Sequence, residues 1–296
     1  MNLQENVHPI EPQRALMARP ERCIGAILVD DGKLTHAQVD RVLDFQTRDG
    51  IRFGEAAVRL GFISEADVGY ALSKQFDFPH LAPASEGPSR ELVAAFAPFH
   101  PRTEELRALR TQLMIRWYRP ETGRKALVVA SPDHAEGRSY VAANLAIVFS
   151  QLGARTLLVD ADLRKPRQHQ IFGLPATHGL ASLLSGRSEH KATFPVPGLS
   201  RLSVLPAGPL PPNPQELLSR PLFSSLMKDL QSVYDVVIID TPPAKPYADT
   251  QTITFRSGDA LIVSRKNKTK LADTSRVIRE LSDTGARVVG TLINAY

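Results

Sequence analysis

Ala126-Leu127-Val128-Val129-Ala130-Ser131-Pro132-Asp133-His134-Ala135-Glu136-Gly137-Arg138-Ser139 is the stretch whose reading decides the fold. Five apolar residues closed by Ser-Pro-Asp predict a short buried strand and a turn. Ser139 to Leu152 then predicts a helix, so residues 131–138 join a strand end to a helix start. Backbone N–H groups at a helix start point at an anion, which makes this a candidate phosphate-binding loop. Working outward, Leu157-Leu158-Val159-Asp160-Ala161-Asp162-Leu163-Arg164 and Val236-Val237-Ile238-Ile239-Asp240-Thr241-Pro242-Pro243 are two further buried-type strands. Each delivers aspartate at its C-terminal end, and carboxylates at that edge of a parallel sheet can reach a magnesium ion on nucleotide phosphates. The order and context of the three segments imply a nucleotide site.

The surrounding chain alternates in the same way. Apolar strand candidates are Ala126–Ala130, Arg155–Asp160, Leu202–Leu205, Val236–Asp240, Ala260–Val263 and Val288–Ile293, with helices fitting between them. That pattern predicts an α/β fold, a P-loop NTPase with a mostly parallel, doubly wound sheet. The helix after Asn213 is marked by Asn213 at the N-cap, Pro214 at the first helical position and Glu216 at the third, so Asn213 is as much a structural as a functional candidate. Upstream, a helix from about Thr103 to Trp117 carries Leu106, Leu109 and Leu113 on one face.

An internal repeat precedes this domain. Ile24–Gln46 aligns with Phe53–Gln75 through Gly25/Gly54, Val29/Val58, Gly32/Gly61, Val39/Val68, Leu43/Leu72 and Gln46/Gln75, a constant offset of 29 residues. In each copy a short apolar segment turns at glycine and a hydroxyl residue opens a helix. Thr35 with Gln38, and Ser64 with Asp67, have capping-box spacing, and Val39/Leu43 and Val68/Leu72 stand one helical turn apart on one face. The resulting division is a flexible leader at 1–19, a small α-rich N-terminal domain at 20–78, a linker and docking segment at 79–102 rich in Pro, Ala, Ser and Gly, and the ATPase domain at 103–296.

Composition excludes several classes. Hydrophobic residues at 43% suffice for packed cores. The single cysteine, Cys23, excludes an intrachain disulfide framework and a cysteine-rich zinc site, and suits a reducing cytoplasm. No apolar run is long enough to span a bilayer, and the polar start Met1-Asn2-Leu3-Gln4-Glu5-Asn6 is no signal peptide. The net charge of +5 and pI near 9.4 permit anionic ligands. Dispersed arginines without interleaved aromatics argue against nucleic acid.

The three segments and their flanks resemble the bacterial tyrosine kinase family (BY-kinases), with its Walker A loop, Asp-x-Asp box and Walker B strand. Asp162-Leu163-Arg164-Lys165-Pro166, His169, Phe172, Gly179-Leu180, Leu183, Gly186, Leu205-Pro206-Ala207-Gly208 and Pro211-Pro212-Asn213-Pro214-Gln215-Glu216-Leu217-Leu218 fall where that family keeps similar residues. The resemblance covers Glu104 to Asn294 and is nearest to the soluble subgroup tied to exopolysaccharide chain length, in which Glu-Gly-Arg-Ser also occurs. It implies a cytoplasmic, non-specific protein-tyrosine kinase or ATPase using ATP and Mg2+, peripheral at the inner membrane through a chain-length determinant or polysaccharide co-polymerase. Glu136, Gly137, Arg138, Ser139 and Tyr140 then contact the nucleotide. Ser139, Asp162 and Asp240 hold the metal. Asp160 is either the base for an attacking tyrosine hydroxyl or a carboxylate that only supports the metal ligands. Arg164 pairs with phosphate or braces a carboxylate. Asn294 faces the adenine edge or is an ordinary turn residue. Glu104, Arg107 and Arg110 match the Glu-x-x-Arg-x-x-Arg motif that holds subunits in a ring, with Arg110 expected on nearly the same side as Glu104; the plainer reading is a solvated face.

The chain departs from the pattern at Arg138, which replaces the usual lysine and puts the transfer rate in question. Asp133 and Ala135 stand where such loops have glycine, and Ala295-Tyr296 offers no tyrosine cluster for autophosphorylation. Three readings follow: a kinase-like ATPase, a catalytically weak nucleotide switch, or a ParA/MinD-type partitioning ATPase, against which the missing early lysine counts. The repeat resembles the N-terminal domain of MshE/GspE-type ATPases, in which two such units bind cyclic di-GMP. That resemblance implies Arg22, Gly25, Arg52 and Gly54 as contacts, with Cys23 at the first arginine position and a purely structural docking domain as the alternative.

Overall fold

The computed structural model describes residues 23–76, 78–81, 87–186 and 192–295, in two compact units that meet in sequence at Phe78 and Pro79. The leader, Arg22 and Tyr296 lie outside the described residues.

Among its described residues the first unit holds four helices, α1 (Ile24–Asp30), α2 (His36–Asp49), α3 (Phe53–Arg59) and α4 (Glu65–Gln75). Both repeat copies build the capping box that their spacing predicts. Thr35 Oγ1 accepts from Gln38 N at 3.3 Å while Gln38 Oε1 accepts from Thr35 N at 2.8 Å. Ser64 and Asp67 make the same exchange at 3.2 and 3.0 Å, so each helix start satisfies two otherwise orphaned donors. The short apolar segment of each copy is itself helical, and α1 packs on α4 as α2 packs on α3. Ile27, Leu28, Val42, Ala56, Ala57 and Ala71 fill the space between them. The buried face of α2 runs through Val42 and not Leu43, which is 47% exposed; Ala71 takes the matching place in α4.

The second unit begins with α5 (Val93–Phe96) and α6 (Pro101–Arg116). It continues through β1 (Ala126–Ala130), α7 (Arg138–Gln151), β2 (Thr156–Asp160), α8 (Gln168–Phe172), α9 (Leu180–Leu184), β3 (Phe194–Val196) and β4 (Leu199–Leu205). Then come α10 (Pro214–Leu218), α11 (Pro221–Val233), β5 (Val236–Asp240), α12 (Asp249–Ser257), β6 (Asp259–Arg265), α13 (Leu271–Asp283) and β7 (Val288–Asn294). The strands form one sheet in the order β3-β4-β2-β5-β1-β6-β7, parallel throughout except for β3. Alternate strand residues serve opposite faces: Leu127, Val129, Leu158 and Ile238 meet α7, while Val128, Leu157, Val159 and Ile239 belong to the cluster of Phe223, Met227 and Leu281. This is the doubly wound P-loop arrangement that the apolar runs predict.

The antiparallel edge strand β3 has no counterpart in the sequence reading. It is three residues long, contains Pro195, and its pairing slips between Pro195 and Val196, so it carries no alternation to detect. Asn213 stands at the N-cap of α10 with Pro214 following, but its side chain makes no cap bond. In the segment read as a linker, two side-chain amides of α7, the buried Asn144 and the half-buried Gln151, clasp the chain. Asn144 accepts from Ala94 N at 3.0 Å and donates to the Glu91 carbonyl at 2.9 Å, and Gln151 donates to Pro79 O and Ala94 O at 2.9 and 2.8 Å.

Candidate nucleotide site

Three strand ends place the site. Because β5 lies between β2 and β1, Asp160 and Asp240 are direct partners across adjacent parallel strands, and Asp240 is level with Val129 on the other side. The loop after β1 therefore opens beside both carboxylates. It is held from within: Asp133 N donates to Glu136 Oε2 at 2.8 Å, His134 N to Asp133 Oδ1 at 2.7 Å, and Thr269 Oγ1 donates to Glu136 Oε1. Ala135 takes φ 55° and Gly137 φ 90°, the left-handed values a tight anion-binding loop requires and glycine tolerates best. Asp133 Oδ1 thus accepts from the loop's own backbone.

Below the loop Ser139, Asp160, Asp162 and Asp240 are all buried. Asp240 Oδ2 accepts from Gln168 Nε2 at 2.8 Å, and the neighbouring Ser139 side chain favours the charged form of the same carboxylate. Burial raises the pKa of Asp240 against the pull of the Arg138 charge. Asp162 Oδ1 accepts from Arg164 N and Lys165 N at 3.1 and 2.9 Å, and its Oδ2 lies 3.2 Å from Arg138 Nη2. Asp160 is differently employed. Its Oδ1 accepts from Asp162 N at 3.2 Å and its Oδ2 from Arg167 N and Gln168 N at 3.1 and 2.9 Å, while burial and then the Asp240 charge push its pKa well up. Both its oxygens are occupied by backbone.

Magnesium demands hard oxygen ligands, and a hydroxyl with two carboxylates supplies them. Asp240 Oδ1 is buried and has no hydrogen-bond partner, an arrangement that costs free energy unless a ligand completes it. The residues present therefore fit a divalent cation held by Ser139, Asp162 and Asp240. Arg138, 8% exposed, folds inward to Ser131 Oγ at 2.8 Å and to the two carboxylates.

Beside the loop a pocket of about 600 Å³ is lined by Gly137, Tyr140, His100, Arg102, Arg265 and Asn294, among others. Asn294 ends β7 against the loop and donates to the Glu136 carbonyl at 3.0 Å. Glu136 itself is 2% exposed and acts as a brace between loops.

Two side chains that the sequence reading passed over complete the site. Gln168 is fully buried and also donates to the Ser139 carbonyl at 3.1 Å. Asp249, fully buried, grips Arg164 through two bonds of 2.7 and 2.9 Å, with Tyr247 stacked 4.0 Å from the guanidinium carbon. Arg164 thus braces a carboxylate. A glutamine just after Pro166-Arg167, polar beside Ile171 and Phe172, was the one available signal; Asp249 reads as an ordinary helix-start acid.

Away from the site, Glu104 pairs with Arg107 on α6. Arg110 stands about 120° round the helix from Glu104, since six residues advance it by about 240° beyond one full turn, and its Nη1 donates to the Val148 carbonyl at 2.7 Å. In the first unit Arg52 is exposed at the start of α3 and makes no side-chain cap bond. Gly25 and Gly54 are buried and closely packed: a Cβ would lie 3.2 Å from Phe53 Cζ and 2.6 Å from Val68 Cγ1.

A family model described as ParA, the NUBPL iron-transfer P-loop NTPase, matches residues 123–295. The chain is 32% identical to CapB of Staphylococcus aureus over 65% of its own length and 83% of that protein. It is 35% identical to YwqD, a tyrosine-protein kinase of Bacillus subtilis, over 69% of its length and 86% of YwqD. Among longer relatives the match spans only 27–28% of the protein. The solved kinase domain of the Escherichia coli tyrosine kinase Etk superposes with a TM-score of 0.66 at 30% identity, covering 69% of this chain and 79% of that one.

Proposed function

Because this chain belongs to the bacterial tyrosine-protein kinase family, carried on a ParA-like P-loop NTPase domain, we propose that it is a tyrosine-kinase-like ATPase. In this reading it binds ATP with Mg2+ and regulates exopolysaccharide chain length with a membrane co-polymerase, at the cytoplasmic face of the inner membrane. The observation that carries the reading is the meeting of Ser139, Asp162 and Asp240 beneath the loop, with Asp240 Oδ1 buried and without a hydrogen bond, faced by Arg138 Nε at 3.4 Å.

The loop's backbone N–H groups receive the phosphates, Tyr140 and Asn294 flank the base, and Ser139, Asp162 and Asp240 hold magnesium. When bound, the ion neutralises charge on the transferring phosphoryl group. Asp160 orders residues 162–168 through its three backbone bonds, and Arg164 is fixed by Asp249. The Glu104–Arg107 pair supplies the ring contact, Arg110 being engaged within its own subunit. Replacing Arg107 by alanine should then shift an oligomer toward monomer in light scattering.

One observation favours a second reading, a nucleotide-dependent switch without phosphate transfer. Both oxygens of Asp160 accept backbone bonds, and Arg138 is engaged by acidic side chains and Ser131, so neither residue offers a free base or a flexible ammonium. Incubating the purified chain with labelled ATP and its candidate membrane partner, and scoring hydrolysis and phosphotyrosine separately, decides between them. Phosphotyrosine supports the kinase; nucleotide binding or hydrolysis without it supports the switch. Absence of nucleotide binding removes both.

The N-terminal repeat, of the MshE/GspE type in this reading, serves as a docking unit, since packing accounts for its glycines. Calorimetry of the full chain with cyclic di-GMP, repeated on Arg52→Ala, tests whether the exposed arginine serves a ligand as well.

A further inference from the structure

Arg138 carries its charge to the point where two of the candidate metal ligands meet. Nη2 lies 3.2 Å from Asp162 Oδ2, Nε 3.4 Å from Asp240 Oδ1, and Nη1 donates to Ser131 Oγ at 2.8 Å. The planar fork thus spans both carboxylates while its remaining nitrogen is anchored beyond the end of β1. Arg138 Nε and Asp240 Oδ1 face each other as buried atoms without a hydrogen bond. Each keeps its bonding capacity for another partner, Asp240 for a hard cation and Arg138 for a phosphate oxygen.

We propose that Arg138 is a resident counter-ion that competes with the divalent cation for Asp162 and Asp240, and that nucleotide phosphates relieve the competition by drawing the guanidinium out. The proposal rests on the nucleotide-site reading above. Magnesium holds its oxygens at about 2.0–2.1 Å, and a guanidinium already within contact of the same two oxygens obstructs an ion that would join them. Arginine does not discharge by losing a proton, so its charge leaves the cluster only when the side chain moves. A lysine ammonium, a point charge on a flexible stem, cannot hold two carboxylates and a hydroxyl in one plane. Arginine here makes cation and nucleotide binding cooperative, and the coupling is reciprocal.

The test is direct Mn2+ binding to the full chain, read from the paramagnetic resonance signal of free Mn2+, without nucleotide and with ADP. Wild type should bind Mn2+ weakly alone and about tenfold or more tightly with ADP. Arg138→Met should tighten binding without nucleotide by about tenfold and shrink the gain from ADP, with Arg138→Lys between the two. Lys245→Met removes an equal charge that the structure pairs with Asp273 at the surface, and should change Mn2+ affinity by less than about threefold. Equal affinities of wild type and Arg138→Met without nucleotide overturn the proposal. So does an equal gain in Lys245→Met, which would reveal a general field effect. Should Arg138→Met fail to fold by circular dichroism, Arg138→Lys carries the same comparison. Mn2+ and ADP binding that ignore Asp162→Asn and Asp240→Asn overturn the site reading itself, a result distinct from a failed competition.

Discussion

Gln168 Nε2 lies 2.8 Å from Asp240 Oδ2 and 3.1 Å from the Ser139 carbonyl, so one buried amide ties the end of β5 to the first turn of α7. Its orientation is forced, because a flipped amide would set oxygen against carboxylate. Gln168→Ala removes a buried donor from both Asp240 and the Ser139 carbonyl and should cost about 1–3 kcal/mol of stability. Gln168→Glu, which opposes a carboxylate to Asp240, should cost more and weaken Mg·ATP binding further. Urea unfolding and nucleotide titration of both variants check this; equal behaviour of the two would show that the amide does not orient Asp240.

Asp240 separates function from stability. Burial raises its pKa, so the ionised form is disfavoured in the fold; the group's contribution to stability is least above the folded pKa, grows as pH falls through it, and is complete below the unfolded value of about 3.9. Asp240→Asn should therefore raise the melting temperature at neutral pH by a few degrees, roughly 2–4 °C for each kcal/mol in a chain of this size. The same change should abolish Mg2+-dependent nucleotide binding. Loss of both stability and binding would show that the carboxylate is chiefly a structural brace.

Gly137 and Asn294 are mutually fitted. Gly137 has φ 90°, and a Cβ on it would lie 2.0 Å from Asn294 Nδ2. Gly137→Ala should cost at least about 1–2 kcal/mol from backbone strain alone and weaken ADP binding. Adding Asn294→Ala should recover the steric part but not the backbone part. A double variant no better than the single one would mean that strain, and not the asparagine, sets the constraint.

Asp235 couples stability to acid. Arg155 contacts it through N, Nε and Nη2 at 2.9, 3.1 and 2.7 Å and holds its pKa below the usual carboxylate range. A folded pKa below the unfolded value of about 3.9 gives stability that is present above that pH and lost as pH falls through the folded pKa. The pair is substantially exposed, so the effect is small and screened. Asp235→Asn should lower stability at pH 7 and make less difference near pH 3. A deficit that grows on acidification would contradict the assigned sign.

The helical unit shows how local a sequence signal is. Thr35 with Gln38 and Ser64 with Asp67 were legible as capping boxes because both partners sit within one turn. The buried stripe was misplaced by one residue, to Leu43 instead of Val42, because which flank of α2 is covered depends on how α3 lies against it. Likewise Arg110 reads as part of a charge motif, yet its partner is a carbonyl on another helix.

By itself the sequence determined the strand–loop–helix at residues 126–152, the two aspartate-bearing strands and the parallel, doubly wound class, since apolar runs, turn residues and caps act over a few neighbours. Only the tertiary structure decided what those aspartates do. Placing β5 between β2 and β1 sets Asp160 beside Asp240, brings Gln168 and Arg138 onto them, and commits Asp160 to backbone donors while leaving Asp240 Oδ1 without one. Strand order is settled by the packing of both sheet faces at once, and the charge balance of a buried cluster depends on which side chains that order delivers.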